Sequence, residues 1–192
     1  MDRLRIALYF CALALVGAPA NAQDPVRVRG TVSAFDGKVI SVKAADGKDV
    51  SVQLADKSEI IYTQPIALAD IKSGDFLGVT SMKRTDGTLT AYEVRRFPKP
   101  VNPGHRPFDG KDDQTMTNAT VSATVQSSNG HELVLSYDGG SQKVIVPQNA
   151  SVSALVPGER SQIVSGASVS LTAAPGADGK LTVQRIQVSP AK

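Results

Sequence analysis

Leu68–Phe97, LADIKSGDFLGVTSMKRTDGTLTAYEVRRF, is the stretch from which the rest of the chain can be read. Ala67 to Lys72 contains good helix formers and no β-branched run, but a segment this short needs tertiary packing to hold a helical turn. Gly74 follows at once, where a helix end favours a residue that tolerates the left-handed region. Phe76 to Ser81, with apolar Phe76, Leu77 and Val79, reads as a strand. Asp86-Gly87 is a hairpin turn signal, and the runs on either side of it can pair. Strict alternation in the last strand puts Tyr92, Val94 and Arg96 on one face and Ala91, Glu93 and Arg95 on the other.

The same plan returns in Arg160–Ser189, RSQIVSGASVSLTAAPGADGKLTVQRIQVS. Ile71 aligns with Ile163, Ser73 with Ser165, Gly74 with Gly166, Asp86-Gly87 with Asp178-Gly179 and Leu89 with Leu181, all at one offset of 92 (163 − 71). Upstream, Gly30-Thr31-Val32-Ser33-Ala34 resembles Ala119-Thr120-Val121-Ser122-Ala123 at an offset of 89 (119 − 30). A shared offset through a helix stop, a turn and a strand indicates a tandem duplication.

Residues 1–22 read as a secretory signal peptide. Arg3 and Arg5 form its basic start, Ile6 to Val16 an apolar core too short to span a bilayer, and Ala20-Asn21-Ala22 a small-x-small cleavage site. The expected location is therefore the periplasm or the medium, with Gln23 as the mature N-terminus. No later segment is apolar and long enough for a transmembrane helix. Cleavage removes Cys11, the single cysteine, so the mature chain holds neither a disulfide nor a thiolate. It also removes Asp2, Arg3 and Arg5, lowering the net charge from +3 to +2. A charge this small does not argue for nucleic acid or an anionic membrane.

Residues 23–97 form the first unit. Val26, Val28, Gly30 and Val32 alternate with polar residues. Asp36-Gly37 leads into Val39–Lys43, and Asp46-Gly47 into Val50–Leu54. Ile60–Tyr62 is a further short extended run. Five main strands, with a short helix between the third and fourth, are the plan of an OB-like Greek-key barrel. Residues 98–117, with Pro98, Pro100, Pro103 and Pro107, read as a proline-rich linker, either a spacer or a docked loop. Residues 118–192 repeat the plan with smaller side chains, turning at Asn129-Gly130 and Asp138-Gly139. The expectation is all-β, with two tandem five-stranded OB-like barrels. Residues 23–117 carry 14 basic and 13 acidic side chains against 5 and 4 in 118–192, which favours the first unit as the carrier of a polar surface.

The runs GTVSAFDGKVISVKAADGKDVSVQLADKSEI and LADIKSGDFLGVTSMKRTDGTLTAYEV resemble the DUF5666 type of exported bacterial OB-like domain. The whole chain is similar to secreted proteobacterial proteins with two such units joined by a segment of the kind seen at Gly104-His105-Arg106-Pro107-Phe108-Asp109. The resemblance implies fold and location and no chemistry. Unit two departs from it at Ala167, where unit one has Asp75.

No catalytic motif is present. Gly166-Ala167-Ser168-Val169-Ser170 lacks the second glycine of a nucleophile elbow, and His131-Glu132 has Leu135 where a zincin needs its second histidine. The Asp-Gly pairs at Asp36, Asp46, Asp86, Asp138 and Asp178 are where turns need them. His105 with Asp109, Asp112 and Asp113 is the one candidate set for a hard cation, though the spacing of a calcium loop is missing. The plainer reading of that loop has His105 and Arg106 bonded to carboxylates, with Arg106 and Phe108 docking the linker on a barrel. Nucleic-acid binding is not expected, because Val39–Lys43 and Val50–Leu54 carry no aromatic for base stacking. The sequence reading is a non-catalytic envelope module, without a cofactor, that binds an unspecified envelope partner or small ligand or serves a structural role. A loop-based divalent-cation protein is the alternative.

Overall fold

The computed structural model describes residues 25–127, 130–176 and 180–191; the signal segment and the Asp178-Gly179 turn lie outside this set, as does Asn129 of the other predicted turn. The described chain is all-β and has twelve strands: β1 (Val26–Phe35), β2 (Val39–Ala44), β3 (Asp49–Pro65), β4 (Phe76–Lys83), β5 (Leu89–Phe97), β6 (Gly104–Phe108), β7 (Lys111–Ser127), β8 (Gly130–Tyr137), β9 (Gly140–Val146), β10 (Ser151–Pro157), β11 (Ser168–Pro175) and β12 (Leu181–Ser189). The predicted helical turn before Gly74 is a 3₁₀ turn, Leu68–Asp70, and its counterpart is Arg160–Gln162.

The Asp-Gly turns form as the sequence requires. Asp36 Oδ1 accepts from the Val39 and Lys38 amides at 2.6 and 2.8 Å, Asp46 Oδ1 from Lys48 N at 3.1 Å and Asp86 Oδ1 from Thr88 N at 2.9 Å. These amides hold all three carboxyls below the usual carboxylate range.

Strand pairing closes a five-strand barrel in the order β12-β11-β1-β2-β3, sealed by parallel pairing of β12 with β3. A second five-strand ring follows the order β5-β4-β7-β8-β9, sealed where Leu89 and Thr90 meet Val144 and Ile145. Each ring therefore takes three strands from one repeat and two from the other. This corrects the expectation that residues 23–97 and 118–192 each close a barrel alone. Gly30 pairs with Val169, and Ala119 pairs with Leu77; self-contained units would have joined Gly30 to Leu77 and Ala119 to Val169.

The cores follow the exchange. Val28, Val32, Ile40, Val42, Val52 and Leu54 pack with Val169, Leu171, Ala173, Val183, Ile186 and Val188 in one cluster. Leu77, Val79, Leu89 and Val94 pack with Val121, Leu133, Leu135 and Val144 in the other. The backbone links also cross. Gly166 N donates to Val32 O and Val32 N to Ala167 O, while Gly74 N donates to Val121 O and Val121 N to Asp75 O, all within 2.8–2.9 Å.

A long strand makes the exchange possible. Val50–Leu54 and Ile60–Tyr62, read from sequence as separate runs, are parts of one 17-residue strand, β3. At about 3.3 Å per residue it spans roughly 55 Å, which carries the chain out of the first ring. There it meets β10, its counterpart, antiparallel. The register is Tyr62↔Val156, Thr63↔Leu155 and Gln64↔Ala154. Thr63 and Leu155 are themselves 92 residues apart, so the two connectors cross symmetrically about that pair.

Two further expectations need correction. Ala91 and Val94 both enter the core, because a bulge lets Tyr92 slip out of the alternation. Residues 98–117 are not a spacer: β6 pairs with the first part of β7, and β7 runs unbroken into the second repeat. The hairpin turn there is Asp109-Gly110, with φ of 56° and 67°. Positive φ at both central residues is the requirement of a type I′ turn, which Asp-Gly meets.

Candidate functional site

The linker histidine and its neighbours do not form a metal centre. His105 Nδ1 lies 2.8 Å from Thr117 Oγ1, its partner on the β6–β7 ladder. Burial and then the nearby Lys83 charge lower its pKa from the ordinary histidine value of 6.5. Asp112 borders a cavity of about 400 Å³ with His105, Lys83 and Gln142. Asp109 occupies the hairpin turn, and Asp113 alternates with Asp112 along the strand. Among the described residues, no group of three or more His, Cys, Asp or Glu side chains is placed to hold a metal ion. Among the described residues Arg106 reaches no carboxylate: its Nη1 donates to Asn102 O at 3.1 Å, within the connector itself. Neither does His105, whose ring meets a hydroxyl.

Phe108 leads to a different place. It borders a cleft of about 440 Å³ together with Glu93 and Arg95 of β5, Arg29 and Gly30 of β1, and Ser168 and Ser170 of β11. A second cavity, about 480 Å³, continues along the same face past Arg27, Thr172 and Arg185, and shares Arg29, Ser170 and Gln187 with the first. The ladder explains the shape. Across β1, β11 and β12 the rows read Arg27–Thr172–Arg185, Arg29–Ser170–Gln187 and Thr31–Ser168–Ser189. These side chains point outward, because Val28, Leu171 and Ile186 between them fill the core. Short hydroxyl residues on the middle strand make a floor, and long residues on the outer strands make walls.

The guanidinium groups differ in how they are engaged. Arg27 and Arg29 make no side-chain hydrogen bond or ion pair among the described residues. Arg185 Nε meets Glu59 Oε2 at 3.4 Å, both side chains being well exposed, which makes a weak pair. Arg95 is bonded to Glu93, and its Nε is buried without a partner among the described residues.

The second ring shows what this face looks like when it is closed. The repeat offsets place Phe76, Gly78 and Thr80 where the first ring has Ser168, Ser170 and Thr172. The pair Ser168↔Ser189 corresponds to Phe76↔Phe97, an edge-on aromatic contact with centroids 6.4 Å apart. Phe97 lies so close over Gly78 that a Cβ there would be 2.5 Å from its Cε2. Met116 Sδ lies 3.9 Å from the Thr80 hydroxyl, and Asn118 Nδ2 binds the Val101 and Asn102 carbonyls at 2.9 and 3.2 Å. Phe97 and the connector at Val101 and Asn102 thus cover the β4–β7 part of this face in the second ring, while Glu93 and Arg95 on β5 border the cleft. In the first ring it is open, polar and basic.

Sequence reading missed Arg27, Arg29, Ser168, Ser170 and Arg185. Their outward alternation was visible, but only the strand exchange makes β1 and β11 neighbours. Among the described residues, no helix is long and apolar enough to cross a membrane. No protein-family model, curated protein or solved structure matches this chain.

Proposed function

We propose that the protein is a non-catalytic binding module of the bacterial envelope, built from two OB-like barrels that exchange halves, with its ligand seat in the cleft on the outer face of β1, β11 and β12. The observation that carries this reading is the contrast between two equivalent faces. One has Phe97 over Gly78 and the Val101–Asn102 connector against Asn118, with Met116 and Asn118 at the offset positions of Arg27 and Arg29, and the other is left open with unengaged arginines. Covering a face is within reach of this fold, so leaving one open points to use. The cleft chemistry supports binding rather than turnover: guanidinium, hydroxyl and amide groups with, among the described residues, a single carboxylate, Glu93, already engaged by Arg95. The signal-like residues 1–22 and the DUF5666 resemblance support export.

The test is a thermal-shift screen of residues 23–192 with envelope saccharides, simple anions and amino acids. It runs beside the variant Ser168→Phe/Ser189→Phe, which rebuilds the aromatic cover of the second ring. A ligand that raises Tm in the parent and not in the variant supports the reading. A ligand that shifts both equally, or the absence of any shift in the parent, overturns it.

A further inference from the structure

Charge and shape along the cleft define its ligand further; this inference rests on the binding reading above. Among the described residues, four arginines border the two cavities, Arg27, Arg29, Arg95 and Arg185, against one carboxylate, Glu93. The lining is thus +3, while residues 23–192 as a whole carry +2. The remainder of the protein is net negative, so the positive field is concentrated at this face and attracts an anion there. Beyond the lining, Glu59 meets Arg185, and Asp46 shares a further cavity with Arg27 and Arg29.

The walls are spaced regularly. Arg27 and Arg29 stand two positions apart on one strand, about 6.6 Å along it, and Ser168, Ser170 and Thr172 repeat at the same interval on the floor. A ligand that matches this has anionic groups recurring along an extended chain and hydroxyls between them for the Ser, Thr and Gln187 side chains. Guanidinium forks bind carboxylates bidentately, which favours this use of arginine over lysine.

Two other polyanions fit less well. An acidic peptide gains affinity by adding a strand, and that route is closed here: β1, β11 and β12 each have a neighbour on both sides. Single-stranded nucleic acid needs a series of aromatic platforms, and among the described residues Phe108 is the sole aromatic side chain bordering the two cavities. We infer that the cleft between Arg27/Arg29 and Arg185/Gln187 binds an acidic polysaccharide, a linear chain of carboxylate-bearing sugars, with Phe108 and Arg95 closing one end.

The experiment is isothermal titration of residues 23–192 with size-fractionated polygalacturonate at low and physiological salt, against neutral dextran, polyglutamate and single-stranded DNA. The variants are Arg27→Gln/Arg29→Gln, the covered-face Ser168→Phe/Ser189→Phe, and Lys72→Gln/Lys143→Gln, which removes equal charge away from the cavities that Arg27 and Arg29 border. The expected result is saturable polygalacturonate binding that weakens with salt. The arginine pair should weaken it by about tenfold or more, the covered face should abolish it and the lysine pair should leave it within about twofold. Unchanged melting of the variants shows that they fold. Tighter binding of polyglutamate or DNA overturns the inference, as does equal loss in the lysine variant or no binding of polygalacturonate. Dextran binding that the covered face abolishes and the arginine variant keeps would overturn the acidic class while sparing the cleft. Binding that the covered face does not affect would overturn both.

Discussion

Leu171 provides a quantitative test of the exchanged core. It lies on β11, in the second repeat, and is 3% exposed. Its pairing partner is Val28, and it packs in the cluster that holds Val32, Ile40 and Val42 of the first repeat. Leu171→Ala removes three carbons from that cluster and leaves a cavity, costing about 3 kcal/mol in a site that cannot collapse fully. Because tenfold in an equilibrium corresponds to about 1.4 kcal/mol, opening of the affected ring should rise roughly 100-fold. The assay is amide hydrogen exchange followed by mass spectrometry, which resolves where protection is lost. The expected loss falls on β1, β2 and the first part of β3, residues 26–54, although Leu171 lies more than a hundred positions away. Residues 119–146, which belong to Leu171's own repeat, should keep their protection better. Loss concentrated in 119–146, with 26–54 unchanged, would refute the reasoning.

Other consequences are equally direct. Gly30→Ala should cost about 1–3 kcal/mol in urea unfolding, because a Cβ there would lie 2.1 Å from the Lys43 carbonyl oxygen, which is backbone and cannot swing aside. The lowered carboxyls of Asp36, Asp46 and Asp86 contribute stability that is present above pH 3.8 and lost as pH falls through their folded values. Tm should therefore drop below about pH 4, and less steeply in Asp36→Asn/Asp86→Asn. His105 has the opposite charge type: its folded pKa is depressed, so the unfolded chain takes up the proton first and stability declines as pH falls below 6.5. In an NMR titration the His105 ring should titrate below 6.5, and His105→Gln should remove that part of the acid sensitivity. Calcium, magnesium or zinc should give no saturable Tm shift that Asp112→Ala removes, since the linker carboxylates are not gathered around His105.

The local rules were legible because they depend on neighbours in sequence. Asp36, Asp46 and Asp86 sit in turns, Gly74 and Gly166 follow their 3₁₀ turns, and the all-β character was plain from the alternation. The sixth Asp-Gly pair, Asp109-Gly110, obeys the same rule, but four prolines nearby mark the segment as a linker, spacer or docked loop, and mask its hairpin. Strand partners were not legible, and duplication is the reason. When two repeats carry equivalent residues, Gly30 against Val169 buries nearly the same side chains as Gly30 against Leu77, so hydrophobic pattern cannot choose between them. The deciding feature is β3, whose polar interruption at Asp56-Lys57-Ser58 looked like a break. There the chain bulges instead, and Ser58 Oγ donates to Ala55 O and Val183 O, both at 2.8 Å, keeping the strand whole. The cleft was hidden for the same reason, since Arg27 and Arg29 acquire their floor of Ser168, Ser170 and Thr172 only through the exchange.

Cysteine trapping measures the exchange most directly. Residues 23–192 contain no cysteine, so an introduced pair has no native thiol to compete with it, and the gel separates closure within one chain from cross-linked dimers. Arg27 and Thr172 face each other on β1 and β11, where antiparallel partners bring Cα atoms about 4.5–5.5 Å apart, within disulfide range. In self-contained barrels the equivalent partner of Arg27 would be Thr80. Mild oxidation should close Arg27→Cys/Thr172→Cys into an intramolecular disulfide, read by mass spectrometry and by faster migration on a non-reducing gel, and should leave Arg27→Cys/Thr80→Cys open. Closure of the Thr80 pair, with the Thr172 pair remaining reduced, would contradict the exchanged fold and the cleft built upon it.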